Sequence, residues 1–321
     1  RTQGVERLVV LGVYQANWQR LWDLVQSDDG LYAAFGLHPV YLDQHQPEHL
    51  EQLRDWLQHL AGHPKLCAVG EFGLDYFLTE LDPARQQQLF EAQLTLAAEF
   101  ELPALLHVRR AHGPTIATLK RYRLKRGGII HAFAGSHEEA REYIKLGFRL
   151  GLGGAATWPQ ANRLHKVVAA LPLDAIVLET DAPDMAPAMH PNQRNSPEFL
   201  PDICTDLAQL LAVSPEQLAD AAIGHRDKAH GFDDGLYRRT EAAEGLGHAD
   251  GGQATFRQQL SLTPGQLVVV PGVGGNLGDL QGNLAGGGNG FLLAAQHTDG
   301  MGGKVFKGAH GATSEKDNRA G

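Results

Sequence analysis

Seven short, almost wholly apolar runs punctuate residues 8 to 181, and what separates them constrains the fold more than any other feature of the chain. In order they are LVVLGV from Leu8, LYAAFGLHP from Leu31, LCAVGE from Leu66, ALLHVR from Ala104, GIIHAF from Gly128, FRLGLGG from Phe148 and AIVLETD from Ala175. Between them fall segments with helical periodicity or helix caps: PEHLEQLRDWLQHL from Pro47, ARQQQLFEAQLTLAAEF from Ala84 and SHEEAREYIKLG from Ser136. The last places Ser136 as N-cap, Glu139 three residues on and Gly147 as its stop, which predicts a capping box and a glycine-terminated helix. Strands that are apolar on both faces and alternate with helices imply a parallel sheet covered by helices, either doubly wound or a (β/α)8 TIM barrel. A barrel needs eight strands and seven are legible, with LVVLGV almost at the start. The expectation is therefore a TIM barrel whose first strand is missing, having preceded Arg1.

The chain divides by composition near residue 231. Residues 1–231 carry the alternation. Residues 232–321 hold more than half of the 38 glycines, in stretches such as GVGGNLGDLQGNLAGGGNG, and read as a disordered tail. Nucleotide-binding loops are also glycine-rich, but the strand, G-x-G-x-x-G and helix context they need is not there. Over all 321 residues the net charge is −9, which argues against broad electrostatic capture of nucleic acid; a phosphate substrate would require local positive charge such as a bound metal. The 16 histidines make a metal worth seeking. Cys67 and Cys204 are far apart and in no CxxC pair, so neither a disulfide framework nor a cysteine zinc site is indicated, and a reducing cytoplasm fits. No apolar run approaches the roughly 18 residues of a membrane span.

Four of the apolar runs bring a metal-ligand residue type to their C-terminal ends: Glu71 in LCAVGE, His107 in ALLHVR, His131 in GIIHAF and Asp181 in AIVLETD. A single histidine on a buried strand is commonly a hydrogen-bonded core residue, and a single carboxylate after a strand commonly caps the next helix. Four at equivalent ends are harder to explain so, because in parallel α/β barrels the strand C-termini converge on one face where active sites are built. Two imidazoles with two carboxylates form a mixed nitrogen and oxygen set suited to Zn, Mn or Fe, with Mg possible where carboxylates and water dominate. The basic run KRYRLKR at 120–126 ends a helix before GIIHAF, on the opposite face of a barrel, and is read as solvated surface.

The strings GLHP at 36–39, GEFGLDY at 70–76, LHVRRA at 106–111, HAFAG at 131–135 and ETDAPD at 179–184 resemble, in order and spacing, the motifs of the TatD family of metal-dependent deoxyribonucleases, in its YjjV-like branch. The resemblance spans roughly residues 5 to 225. It implies a TIM barrel and divalent-metal-dependent phosphodiester hydrolysis, often of DNA from the 3′ end. Carried over by position, Glu71 corresponds to a catalytic carboxylate that bridges two metals, His107 and His131 to imidazoles of one metal, and Asp181 to the catalytic aspartate of the other. The family pattern has two divalent ions (Mg, Mn or Zn) and opens with an H-x-H pair. No such pair lies ahead of Leu8, so the expectation for this chain is one weakly bound ion. His38 is expected as a rim contact to substrate or a donor behind a ligand, or else as a turn histidine before Pro39; Asp75 as an orienter of a ligand or the acceptor of a local turn bond. Arg109, two residues after His107 on the same strand face, is expected to hold a substrate phosphate. Asn195, with Pro197, resembles the family's N-x-P and is expected to contact substrate from the cleft wall. DNA ends are the implied partner, with no membrane and no stable protein partner. Two alternatives stay open here: hydrolysis of small amides, lactones or phosphoesters at the same site, and a catalytically incompetent fragment that only binds.

Overall fold

The computed structural model describes residues 3–223 and 267–270. Its sheet is parallel and curled in the manner of a TIM barrel. The strands are β1 (Arg7–Gly12), β2 (Leu31–Phe35), β3 (Leu66–Asp75), β4 (Ala104–Arg109), β5 (Gly128–His131), β6 (Phe148–Leu152), β7 (Ile176–Leu178) and β8 (Leu267–Val270). They are ordered β7-β6-β5-β4-β3-β2-β1-β8. Helices α1 (Trp18–Gln26), α2 (Glu48–His59), α3 (Pro83–Glu99), α4 (His112–Tyr122), α5 (His137–Lys145), α6 (Asn162–Val168), α7 (Leu200–Leu210) and α8 (Pro215–Ile223) occupy the intervals between β1 and β7 and the stretch after β7. All seven apolar runs form strands. The Ser136 capping box forms as expected, with the hydroxyl accepting from the Glu139 N–H and the Glu139 carboxylate accepting from the Ser136 N–H. No helix among the described residues is long and apolar enough to cross a membrane.

One expectation is corrected. The sheet has an eighth strand, and it lies in the glycine-rich region read as disordered: Leu267–Val270 pairs in parallel with β1, Arg7 opposite Leu267 and Val10 opposite Val270. Four consecutive aliphatic residues, three of them β-branched, favour a strand, a local signal that the glycine content of the surrounding stretch hides. β8 also lies beside β7, so the two ends of the sheet approach each other. The remainder of residues 232–321 falls outside the described residues.

Strand periodicity sorts the apolar side chains into two layers. Val9 and Leu11 of β1, Tyr32 and Ala34 of β2, Leu105 of β4, Ile129 of β5 and Val177 of β7 form a cluster made only of strand residues, on the inside of the curl. Their neighbours Leu8, Val10, Ala33, Phe35, Leu106, Ile130 and Leu178 pack outward with helix residues such as Leu21, Phe90 and Leu119. Because side chains alternate with period two, His107 shares a face with Leu105, His131 with Ile129, and Glu179 with Val177. The polar groups therefore enter the barrel interior above its apolar floor.

Gly73 fixes how closely β3 and β4 approach beside the site. It pairs with His107, has φ +152°, and a Cβ there would lie 2.0 Å from the His107 carbonyl oxygen. Gly73→Ala is expected to lower stability by about 1–3 kcal/mol through overpacking and backbone strain. Urea unfolding of the variant beside the parent chain checks this.

Candidate metal centre

His38, Glu71 and His107 meet at the C-terminal end of the sheet. One donor atom from each lies within 4.8 Å of the others. Glu71 is 3 % exposed. Its Oε1 is 3.3 Å from His38 Nε2 and 3.4 Å from His107 Nδ1. Burial pushes its acidity toward the neutral form, but His131, His38 and His107 outweigh that and hold the carboxyl well below its ordinary range. Glu71 is thus an ionised carboxylate in the protein interior, stabilised by three imidazoles.

Each of two histidines is gripped from behind by a buried carboxylate. His107 Nε2 donates to Asp75 Oδ2 at 2.9 Å while Nδ1 faces Glu71. His131 Nδ1 donates to Glu179 Oε2 at 2.9 Å, and its Nε2 meets Asp181 Oδ1 at 2.9 Å. Burial disfavours charge on both rings, yet the carboxylates prevail: Asp75 and Glu71 raise the pKa of His107, and Glu179, Asp181 and Glu71 lift that of His131 well above the ordinary value. His38 goes the other way. Burial, followed by the neighbouring His107, lowers its pKa, and its Nδ1 accepts the Val40 N–H at 3.1 Å, leaving the proton on Nε2, toward Glu71.

These donors fit a divalent cation. The set mixes imidazole nitrogen and carboxylate oxygen, as Zn and Mn sites do, and a carboxylate behind an imidazole is how proteins fix the ring and tautomer of a ligating histidine. His38, Glu71 and His107 could hold such an ion, with His131 and Asp181 adjoining. A cation bound there replaces imidazole protons, since a ligating ring is neutral.

Glu71, His107, His131 and Asp181 are thus brought together, although Glu71 lies within β3 and not at its end and Asp181 lies in the loop after β7, and Asp75 fills both roles considered for it. Besides orienting His107, its Oδ1 accepts the Phe77 N–H at 3.0 Å. His38 belongs with Glu71 and His107 and not at the outer rim. Asn195 is corrected: it is 0 % exposed, so it cannot serve as a contact on the cleft wall. Its Nδ2 donates to the carbonyls of Thr180, Asp184 and Met185, and its Oδ1 accepts the Ser196 N–H. Asn195 clasps the loop that follows Asp181.

Sequence reasoning missed three residues. Glu179 stands inside the same ETD string, two residues before Asp181 and directly after β7. Its carboxylate, raised in pKa chiefly by burial, packs against Gly151, where a Cβ would lie 2.2 Å from Oε2. Gln86 and Gln93 of α3 each grip a strand-end peptide in both directions. Gln86 bonds the Asp75 N–H at 2.8 Å and carbonyl at 3.0 Å, and Gln93 the Leu37 N–H at 2.7 Å and carbonyl at 3.1 Å. Their spacing of seven on a helix, two turns on one face, was the available signal.

A profile of the family described as TatD related DNase matches residues 1–224. The chain is 38% identical over 222 residues to the uncharacterized metal-dependent hydrolase YjjV of Escherichia coli K12, covering 69% of this chain and 85% of that protein. To the 3′-5′ ssDNA/RNA exonuclease TatD of Pantoea vagans it is 33% identical over 229 residues, covering 68% and 85%. Among solved structures, the crystal structure of YjjV, a TatD homologue from Escherichia coli K12, matches with a TM-score of 0.68 at 37% identity, covering 72% of this chain and 88% of that one. A TatD family hydrolase from Entamoeba histolytica, at 19% identity and TM-score 0.61 over 69% and 83%, shares the fold.

Asp75→Asn and Glu179→Gln are each expected to weaken divalent-metal binding by about 10–100-fold, the usual cost of losing the group behind a ligand; isothermal titration with Mn or Zn reads this directly. Asn195→Ala, in contrast, is expected to act on stability, lowering it by about 1–3 kcal/mol through the stranded carbonyls, as thermal unfolding will register.

Proposed function

The chain belongs to the TatD-related DNase family of metal-dependent hydrolases, and from that premise we propose that it is a phosphodiesterase that removes nucleotides from the 3′ ends of DNA. One observation carries the reading: His107 and His131 are each fixed by a buried carboxylate and turn their other nitrogen toward a second one, Glu71 and Asp181. The exonuclease name of the Pantoea vagans relative supports the choice of substrate.

A divalent ion at such a site supplies positive charge to the phosphodiester and acidity to an attacking water. Glu71, ionised and buried, together with His107, His131 and His38, forms the donor set. Among the described residues such donors group once, and one ion is the proposed complement. Asp181, whose Oδ1 meets His131 Nε2, is the proposed acceptor of the attacking water's proton. Arg109, at the end of β4 and in no ion pair among the described residues, is the proposed phosphate contact. The free, buried thiols of Cys67 and Cys204 suit a reducing compartment such as the cytoplasm.

The test is direct. With Mn or Mg, a 5′-labelled single-stranded oligodeoxynucleotide is expected to shorten from its 3′ end, EDTA to stop the reaction, and Glu71→Gln to slow it by more than about 100-fold, beyond what loss of an outer partner costs. Metal-dependent turnover of lactones or amides with DNA left intact would assign the site to small molecules.

A further inference from the structure

The large apolar side chains exposed among the described residues are Val40, Phe77, Met185 and Met189. All four follow strand C-termini: Val40 after β2, Phe77 after β3, and both methionines after β7. Hydrophobic exposure is thus concentrated on the face that holds the candidate centre. Phe77, 37 % exposed, stands two residues beyond Asp75, whose carboxylate both caps its N–H and orients His107.

Phe77 is flanked by cations. The Arg109 guanidinium lies 3.8 Å from its ring centroid and that of Arg110 4.7 Å. Consecutive residues of an extended strand point to opposite faces. Here Arg110 has φ +54°, which ends the extended run and lets both side chains reach one ring. Among the described residues neither guanidinium is in an ion pair, in a chain whose net charge is −9. Two arginines stacked on a partly exposed ring beside a buried metal-ligand cluster form a cationic, aromatic shelf. Such a surface accepts a base on its π-face and a phosphate on its charges.

We propose that Phe77, with Arg109 and Arg110, is the shelf on which an unpaired nucleobase of single-stranded DNA stacks beside the phosphodiester held at the candidate centre. The inference rests on the phosphodiesterase reading and names the residues that select a single strand. A base within a duplex is already stacked and paired, so using the shelf requires unstacking it.

Binding in EDTA isolates the shelf from hydrolysis. A short single-stranded oligodeoxynucleotide with 2-aminopurine at its 3′ terminus, titrated with the full chain, is expected to be quenched as the base stacks. Phe77→Ala should abolish the quenching and weaken binding by about 5–100-fold, the range that loss of one base–aromatic stack produces. Phe77→Trp should restore both, and a blunt duplex of the same sequence should bind more weakly than the single strand. Thermal unfolding of each variant controls for folding. Equal affinity and quenching in Phe77→Ala, or no binding by the parent chain, overturns the proposal. Oligonucleotide binding without metal-dependent hydrolysis would instead sink the phosphodiesterase reading while leaving the shelf in place.

Discussion

An ionised carboxylate in the protein interior is the constraint on which the site depends. An isolated charge there costs several kcal/mol after relaxation and is tolerated only with compensating partners. Glu71 has its partners in His38, His107 and His131, whose combined influence overrides burial and keeps it charged. The imidazoles need compensation in turn, and Asp75, Glu179 and Asp181 provide it. The result is a chain of alternating charge across the C-terminal end of the sheet, in which removing one member leaves another buried without its counterpart.

Such a network holds its geometry only if the backbone beneath it is rigid. Parallel pairing sets His107 directly opposite His131, and Gly73 opposite His107, so the spacing of the two rings follows from the ladder itself. Helix α3 adds a splint that pairing alone does not offer. Through Gln86 and Gln93 it ties the peptide of Asp75 and the peptide of Leu37, next to His38, to a single helix. The carboxylate behind His107 and the peptide before His38 are thereby fixed to a common element.

The opposite end of the sheet behaves as ordinary surface. Three of the five basic residues in the run that ends α4 pair locally, Lys120 with Glu142, Arg121 with Glu91 and Lys125 with Glu101. Arg109 and Arg110, at the C-terminal end of the sheet, lie against the ring of Phe77.

By itself the sequence determined the strand and helix alternation, the association of Glu71, His107, His131 and Asp181 with four different apolar runs, and the Ser136 cap, because period, capping and residue type are local properties. It left open which side of the histidines each carboxylate would take. Nothing local in the ETD string sets Glu179 apart, and the sequence around Asn195 suits a substrate contact as well as a loop clasp, because a buried clasp and an exposed contact look alike until the loop is folded. His38 moved from rim to centre for the same reason: its partner Glu71 is 33 residues away in the chain, and only strand pairing brings them together. The β8 strand shows the limit most plainly. Leu267–Val270 is a strand-forming word in a glycine-rich stretch, and it acquires meaning only because β1 offers it a free edge of hydrogen-bonding groups, a long-range complement that no local pattern encodes.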